Sequence, residues 1–433
     1  MGAGEHTSAH ETTADGRRRP HRPTRRRPPS GPLRVEVVTE LADLEGMADA
    51  WTSLLHRSPR ATAYASAAFV LTWYRHFEQP GGIYAISVWR GDELVGMAPF
   101  ARTRIGRGQA GASLLVSAGT EHGDYGDPLI GLDAPPVAAA IADHLAGLVR
   151  RRTVVNARRL RENGPMLAAL EAHGDLARTP MGEVAQAAVV RFDQLDEPEV
   201  HLRRLAKKHG VPRRLRRLAE AHGDVEYVPD HPDLTAALDT MRDMLARRWG
   251  PGDGPNLFRA PRLEAFTREV MRQLVDSRLG RVATMAAGGR PLAVSTVLEV
   301  GDRHISDNAA YDPDLAEFGP GQAEMHMMLC HAHATGAREV DLRAGDFAYK
   351  HRWANTTHTT RSLALTVPGR ERQVMAGARR LAMSRRARRL VRLHEQLPVA
   401  FGTERRRRWL LAVAVVVGVA AGTTEAVTGE LVT

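Results

Sequence analysis

The chain has 433 residues, 43% of them apolar, which is enough for two or three domains with packed cores and excludes wholesale disorder. A single cysteine excludes an internal disulfide framework and a zinc site built on several thiolates. The net charge of +10 lies in the ends: residues 1–34 carry eight arginines and three acids, and residues 370–408 carry thirteen arginines and three acids. The stretch 35–369 is slightly acidic, which argues against nucleic-acid binding by the body of the protein.

Residues 1–34 predict a disordered basic arm. Their runs of arginine and proline have no apolar periodicity, so they cannot build a core. They also lack the apolar stretch that follows the basic start of a secretory signal. The arm is either a solvated tail or a segment attracted to phosphate or anionic lipid.

The other end, residues 370–433, predicts a helical tail. Residues 371–397 have the pattern of a basic, loosely amphipathic helix, and Trp409 to Gly422 is purely apolar. Fourteen apolar residues fall short of the roughly 20 that span a bilayer. The tail either lies on a membrane through residues 371–422 or docks on the body as an apolar helix. If the tail inserts, the positive-inside tendency keeps the body in the cytoplasm, and we predict a cytoplasmic protein.

The strand pattern of the body occurs twice. Two hairpins at a constant offset of 197 residues comprise strands 83–88 and 94–100 with a turn at Gly91, and strands 281–287 and 291–299 with a turn at Gly288. A third strand, 304–310, follows the second hairpin. The simplest account is two domains of one architecture, residues 35–190 and 191–367.

A very basic helix pair is predicted between the halves, at residues 201–221, with Pro212 as the separator. Such a run of charge is by default a solvated face. The alternative is a surface for an anionic substrate or for the phosphates of a ligand.

The segment from Asp307 to Trp353 is the most informative. A strand leads into the loop Phe318-Gly319-Pro320-Gly321-Gln322, and a strong helix is predicted over 323–335, followed by a short strand at 340–343. A glycine loop between a strand and a helix start presents free backbone N–H groups to a phosphate. Taken alone the pattern also fits an ordinary strand-to-helix turn.

This order resembles a known family. The glycine loop, the helix, and then Asp341, Gly345, Tyr349, Lys350 and Trp353 resemble the acyl-CoA N-acyltransferases of the GNAT superfamily. The closest resemblance is to the branch associated with bacterial cellulose biosynthesis (CelD-type), which is related to the FemAB-like enzymes. It covers about residues 35–367. Gly319 departs from the serine that is common at its position.

The resemblance implies an α/β (α+β) fold with two tandem GNAT-like domains, each a mixed twisted sheet flanked by helices. It also implies that the second half binds acetyl-CoA or another acyl-CoA. We expect the amides of Gly319, Gly321 and Gln322 to hold the pyrophosphate, with Lys350 contacting a phosphate or a carboxylate. Strand 304–310 would offer N–H groups to the thioester oxyanion.

Direct attack by an amine requires a base for the ammonium and an acid for the departing thiolate. We assign the acid to Tyr349 and the base to Asp307 or Asp346. The pair Tyr349-Lys350 also fits a structural corner that packs on the sheet.

A metal site competes with this assignment, because His326, Cys330 and His333 share one face of the 323–335 helix. The methionines and leucine of the same helix favour a buried core helix instead, so we predict no metal. No phosphate-binding Walker loop and no serine-hydrolase elbow occur in the sequence. The stretch Glu121 to Asp124 is either part of an acceptor site or a satisfied polar loop.

Three functions follow from this reading. The first is an acyl-CoA-dependent N-acyltransferase, most simply an acetyltransferase, whose acceptor is an amine of a small molecule, a sugar or an envelope or polysaccharide precursor. The second is a FemAB-like transferase that uses aminoacyl-tRNA and acts on a peptidoglycan precursor; only this alternative has a nucleic-acid partner. The third is a non-catalytic accessory protein of a polysaccharide-producing assembly, anchored by the tail.

Overall fold

The computed structural model describes residues 31–78, 81–105, 112–182, 184–249, 257–345 and 347–370. Most of the predicted basic arm and the predicted tail from residue 371 onward lie outside these described residues. None of the described helices is long and apolar enough to cross a membrane.

The first half runs from strand β1 to strand β7. Its elements are β1 (Leu33–Val38), α1 (Leu41–Gly46), α2 (Ala48–Arg57), α3 (Ala67–Phe77), β2 (Ile83–Arg90), β3 (Glu93–Ile105), β4 (Ala112–Ser117), β5 (Leu129–Ile130), α4 (Ala134–Arg150), β6 (Thr153–Arg161), α5 (Pro165–Ala172) and β7 (Ala177–Pro180). The predicted first hairpin is confirmed as β2 and β3, and Gly91 has the positive φ (59°) that its turn requires.

A strand and two helices connect the halves: β8 (Ala185–Arg191), α6 (Pro198–Lys208) and α7 (Val211–His222). The basic helix pair was therefore predicted correctly, but its separator was wrong. The break is at Gly210, which adopts a left-handed conformation with φ 69°, and Pro212 lies in the first turn of α7. Proline is tolerated there, because the N–H that it lacks has no intrahelical partner in a first turn.

The second half repeats the order of the first. Its elements are β9 (Val225–Val228), α8 (Leu234–Trp249), α9 (Pro261–Asp276), β10 (Gly280–Ala287), β11 (Arg290–Val300), β12 (Arg303–Tyr311), α10 (Pro320–Ala334), β13 (Glu339–Ala344), α11 (Ala348–His351) and β14 (Thr356–Thr366). The second hairpin and the strand after it are confirmed as β10, β11 and β12. Helix α10 begins three residues earlier than predicted, because Pro320 with its fixed φ starts the first turn.

All of the described strands belong to one mixed sheet. Its main path runs β1-β2-β3-β4-β6-β14-β8-β13-β12-β11-β10-β9, while β5 pairs with β3 and β7 with β14. Each half has antiparallel outer strands and one parallel pair, β4 with β6 and β12 with β13. The predicted fold class, a mixed sheet flanked by helices in each half, is confirmed.

The halves exchange strands at the centre of this sheet. Strand β14, the last of the second half, pairs with β6 and β7 of the first half. Strand β8, which precedes the second half, pairs with β13. Because β14 also pairs with β8, the two halves form one continuous sheet.

Three apolar clusters cover the sheet. One packs α4 and α5 against the first half, and another packs α6, α7 and α10 against the second. The third combines α2 and α3 with α8 and α9, so it joins the halves. Within it, the rings of Phe77 and Phe266 pack edge to face, with centroids 5.1 Å apart.

Candidate active site

The site lies where two parallel strands of the second half diverge. Strands β12 and β13 pair over Arg303–Ile305 and Glu339–Asp341 and then separate. Both strands are irregular just beyond the last pair. Asp307 is the extra residue between Ser306 and Asn308 in the pairing of β12 with β11, and Arg343 has a φ of 66° where β13 changes register against β8. Bulges and positive φ at a non-glycine residue are typical of functional sites.

The side chain of Arg343 bridges this cleft. Its Nη1 donates to the main-chain carbonyl of Asp307 at 2.7 Å and to Oδ1 of the same residue at 3.1 Å. Its Nε donates to Oδ2 of Asp124 at 2.8 Å, which ties the cleft to the first half. The guanidinium therefore holds the two halves together at the point where β12 and β13 open.

Asp307 accepts hydrogen bonds on both carboxylate oxygens. The donors are Tyr64 Oη at 2.6 Å and Arg343 Nη1 at 3.1 Å on Oδ1, with Asn308 Nδ2 at 2.6 Å and Thr296 Oγ1 at 3.2 Å on Oδ2. A carboxylate with four donors is held in one orientation.

Asp124 comes from the loop between β4 and β5 and is buried between two arginines. Arg343 donates to it from β13, and Nη1 of Arg159 donates to it at 3.0 Å from β6. Burial alone would raise the pKa of Asp124, but the two guanidinium groups and the amide of Ala344 outweigh burial and lower it to about 2. The next residue, Tyr125, donates its hydroxyl to Asp341 of β13. This loop of the first half is thus built into the cleft of the second.

The glycine loop begins helix α10 beside the cleft. Gly319 has a φ of 61°, and Pro320 occupies the first turn. The amide of Gly319 donates to Ala316 O at 3.0 Å, and that of Gln322 donates to Gly319 O at 3.2 Å. Two of the three amides predicted to hold a pyrophosphate therefore donate to carbonyl groups within turns. Of the three, the amide of Gly321 takes part in neither of these bonds.

The space beside Gly319 is taken by a side chain of α7. An ideal Cβ on Gly319 would lie 2.0 Å from Nη1 of Arg214. The side-chain amide of Gln322 has another role, because its Oε1 accepts from Trp353 Nε1 at 3.3 Å. The φ of residue 319 thus favours glycine, and any side chain there would displace the guanidinium of Arg214.

Tyr349 and Lys350 belong to the short helix α11, which follows β13. Tyr349 is 38% exposed, and desolvation raises the pKa of its hydroxyl against a smaller lowering by Arg248 and Arg343. Lys350 is buried, and its Nζ donates to the carbonyls of Arg343 and Ala344 at 3.1 and 2.9 Å. Lys350 therefore fixes α11 to the end of β13. Asp346 lies outside the described residues.

The corresponding helix of the first half starts differently. Helix α4 has prolines at positions 135 and 136, which remove two of the N–H groups that a helix start offers. Asp133, just before the helix, forms an ion pair with Arg90. The negative charge and the missing donors make this helix start a poor anion site.

No group of three or more His, Cys, Asp and Glu side chains with a metal-binding arrangement occurs among the described residues. In α10, Sγ of Cys330 lies 3.7 Å from the ring of His326. His333 instead packs its ring edge to face on Phe192, with centroids 5.1 Å apart.

Sequence reasoning missed two residues of the site, Tyr64 and Arg343. Arg343 is one of 57 arginines, and Tyr64 is far from the cleft along the chain. Arg214 belongs to the basic helix pair, for which a surface for the phosphates of a ligand was the alternative. Position alone could have indicated Arg343, because it lies between Asp341 and Gly345 of the motif.

One family model matches most of the second half. Residues 206–351 match a family model described as "Acetyltransferase (GNAT) domain". No curated protein sequence matches the chain significantly.

Among solved structures, FemX is 10% identical, with a TM-score of 0.52 over 74% of this chain and 96% of that one. A tandem GNAT protein from the clavulanic acid biosynthesis pathway is 15% identical, with a TM-score of 0.40 over 78% of this chain and 100% of that one. A protein of unknown function from Bacteroides thetaiotaomicron is 12% identical, with a TM-score of 0.47 over 77% of this chain and 100% of that one.

Residues 206–351 of the second half are therefore similar to a GNAT acetyltransferase domain, and the first half repeats the order of strands and helices of the second. The likeness to FemX concerns the fold alone. The glycine start of α10 and the cleft between β12 and β13 both lie inside residues 206–351, the segment that matches the family model.

Proposed function

We propose that the protein is an acyl-CoA-dependent N-acyltransferase, most simply an acetyltransferase, with its acyl-CoA site in the second half. The observation that carries the proposal is the divergence of β12 and β13 beside the glycine start of α10, inside the segment that matches the GNAT family model. Beyond Ile305 strand β12 no longer pairs with β13, and the helix start attracts an anion.

The residues of this chain supply binding and proton transfer. The amide of Gly321 and the positive end of α10 would hold the pyrophosphate, and N–H groups of β12 beyond the bulge would donate to the thioester oxygen as it becomes an oxyanion. The acceptor nitrogen forms a bond to the acyl carbon, the carbon–sulfur bond breaks, and the coenzyme A thiolate takes a proton. Tyr349 is the candidate for this last step, because a tyrosine hydroxyl is protonated at neutral pH and can donate that proton.

The contacts of Asp307 and Lys350 favour positioning roles for both residues. The four donors on Asp307 favour a positioning role for its carboxylate over the role of a base, and Lys350 holds α11 in place. The base for the ammonium is then Asp346 or a group of the acceptor itself. A Tyr349→Phe variant tests the acid: we expect kcat to fall with KM for acetyl-CoA unchanged, whereas a structural role would also weaken binding.

The binding test is calorimetric titration of the full chain with acetyl-CoA, using the Gly321→Glu variant. A carboxylate at the start of α10 repels the pyrophosphate, so binding should be lost. The matched control is Gly46→Glu, because Gly46 is exposed and a side chain there meets no atom within 4 Å. Unchanged affinity in Gly321→Glu would contradict the proposed site.

A second candidate is the FemAB-like transferase that uses aminoacyl-tRNA. The observations in its favour are the likeness in fold to FemX and the eight cations of α6 and α7. Salt-sensitive binding of tRNA by a protein that does not bind acetyl-CoA would favour this candidate.

Several finer assignments stay predictions. They are the cellulose-biosynthesis (CelD-type) branch, the accessory role in a polysaccharide-producing assembly, the saccharide or small-molecule acceptor, the cytoplasmic location and the membrane contact through residues 371–422.

A further inference from the structure

Helix α7 brings cations to the start of helix α10. The segment from Pro198 to His222, which spans α6 and α7, has eight lysines and arginines against two glutamates. Most of these cations are exposed, as in Arg216, whose side chain is 71% exposed and forms an ion pair with Glu220 at 3.7 Å. Arg214 and Arg217 differ, because they contact the loop that leads into α10.

Arg214 lies against Gly319 with hydrogen-bonding capacity unused. Among the described residues, its Nε is buried and has no hydrogen-bond partner. The positive end of the α10 dipole lies at the same place. The guanidinium adds to the positive potential of the helix N-terminus, so this arrangement favours an anion there.

Arg217, one turn further along α7, contacts the same loop. Its guanidinium lies 4.8 Å from the ring centroid of Phe318 and forms an ion pair with Glu317 at 3.2 Å. Glu317 is 69% exposed, and such surface pairs are weak. A phosphate can therefore replace Glu317 while the ring of Phe318 keeps the guanidinium in place.

We infer that Arg214 and Arg217 form a subsite for the 3′-phosphate of coenzyme A. The inference rests on the proposed function and deepens it, because it names the part of the cofactor that α7 recognises. Coenzyme A has two phosphate positions, the diphosphate and the 3′-phosphate on the adjoining ribose. The amides of Gly319 and Gln322 are already engaged, so the main chain at the start of α10 serves only one of these positions. The second position then needs side chains, and arginine binds phosphate through two parallel hydrogen bonds.

The test compares coenzyme A with 3′-dephospho-coenzyme A, which differ by this phosphate alone. The wild-type chain should bind coenzyme A about tenfold more tightly, as expected for charge-assisted hydrogen bonds. Arg217→Gln should lose about tenfold in affinity for coenzyme A and change less than about twofold for the dephospho form. Arg214→Lys, which keeps the charge but not the forked geometry, should also reduce the discrimination.

The matched control is Arg216→Gln, on the same helix but paired outward with Glu220, and it should leave both affinities unchanged. Thermal melting of each variant verifies that it is folded. Equal affinity of the wild-type chain for the two ligands would overturn the subsite and leave the proposed function standing. Discrimination that persists in both variants would overturn the assignment to α7. Absence of binding by either ligand would overturn the proposed function and the subsite together.

Discussion

Asp124 joins the two halves of the site at the level of a single residue. Its carboxylate accepts from Arg159 of β6 and from Arg343 of β13, and both arginines have a positive φ. A left-handed conformation at a non-glycine residue costs of order 1 kcal/mol and persists only where its surroundings fix it. We therefore expect the hydrogen bonds to Asp124 to hold both arginines in these conformations.

Replacing Asp124 by Asn should reduce the free energy of unfolding by about 3 kcal/mol, because it removes the counter-charge of Arg159 and leaves Arg343 with Asp307 alone. The lowered pKa of Asp124 adds a pH dependence: its stabilisation is present above about pH 4 and is lost as the pH falls toward about 2. Urea unfolding at pH 7 and pH 3 measures both effects. The control is Asp243→Asn, in which an exposed carboxylate is removed. An equal loss in the two variants at pH 7 would show that Asp124 is an ordinary surface charge.

Ionisation of Glu324 has the opposite effect on stability from that of Asp124. Glu324 lies on the buried face of α10, where its carboxyl accepts a hydrogen bond from Ser295. Burial raises its pKa to about 7. A carboxyl whose folded pKa is raised destabilises the protein as the pH rises from about 4.5 to about 7. Glu324→Gln should therefore stabilise the protein by roughly 2 kcal/mol at pH 8 and have little effect at pH 5. Denaturant unfolding at both pH values decides this, with the exposed Glu220→Gln as control. Stabilisation of the same size at pH 5 would contradict the account.

At the scale of elements, the glycine loop is a rigid start to α10 with Arg214 against it. Gly319→Ala has to adopt a φ near 61° and also displaces the guanidinium of Arg214. Gly336→Ala has to adopt a φ near 88°, but no atom lies within 4 Å of its added Cβ. Each variant should lose about 1 kcal/mol of stability from the backbone conformation.

Only Gly319→Ala should also weaken binding of acetyl-CoA, because only that position lies at the proposed site. Thermal melting and calorimetry on the two variants separate the contributions. Equal binding by both variants would mean that the position of Arg214 is irrelevant to the ligand.

The sequence predicted those elements whose signals are local. The turns at Gly91 and Gly288, strand β12 and the order from the glycine loop to Tyr349 all follow from periodicity and turn residues within a few positions. The start of α10 was misplaced, because the prediction treated Pro320 as loop when it begins the first turn.

Contacts between distant segments left no comparable signal. Arg343 meets Asp124 across 219 residues of chain, and Tyr64 meets Asp307 across 243. A single sequence does not encode such pairs as a pattern, since neither partner is unusual in its own surroundings. The roles of Asp307 and Lys350 depend on these contacts, so residue type alone could not indicate whether they bind, position or transfer a proton.

At the scale of the whole molecule, the exchange of β8 and β14 makes the two halves one sheet. Leu365 of β14 is fully buried in the first half, although it belongs to the last strand of the second. Leu365→Ala should reduce the free energy of unfolding by about 3 kcal/mol through the lost burial and the cavity. Because β14 also pairs with β8, amide exchange should accelerate in both halves. Faster exchange confined to residues 33–180 would show that the halves unfold independently.

The central claim is that acyl-CoA binds at the start of α10 and not at the corresponding helix of the first half. Amide exchange of the full chain with and without acetyl-CoA measures this directly. The account predicts protection of peptides covering residues 317–325, with no change over residues 131–138, where two prolines and Asp133 begin α4. Protection over 131–138 without protection over 317–325 would place the ligand in the first half and contradict the claim. Protection in neither segment at a saturating concentration of ligand would also contradict it.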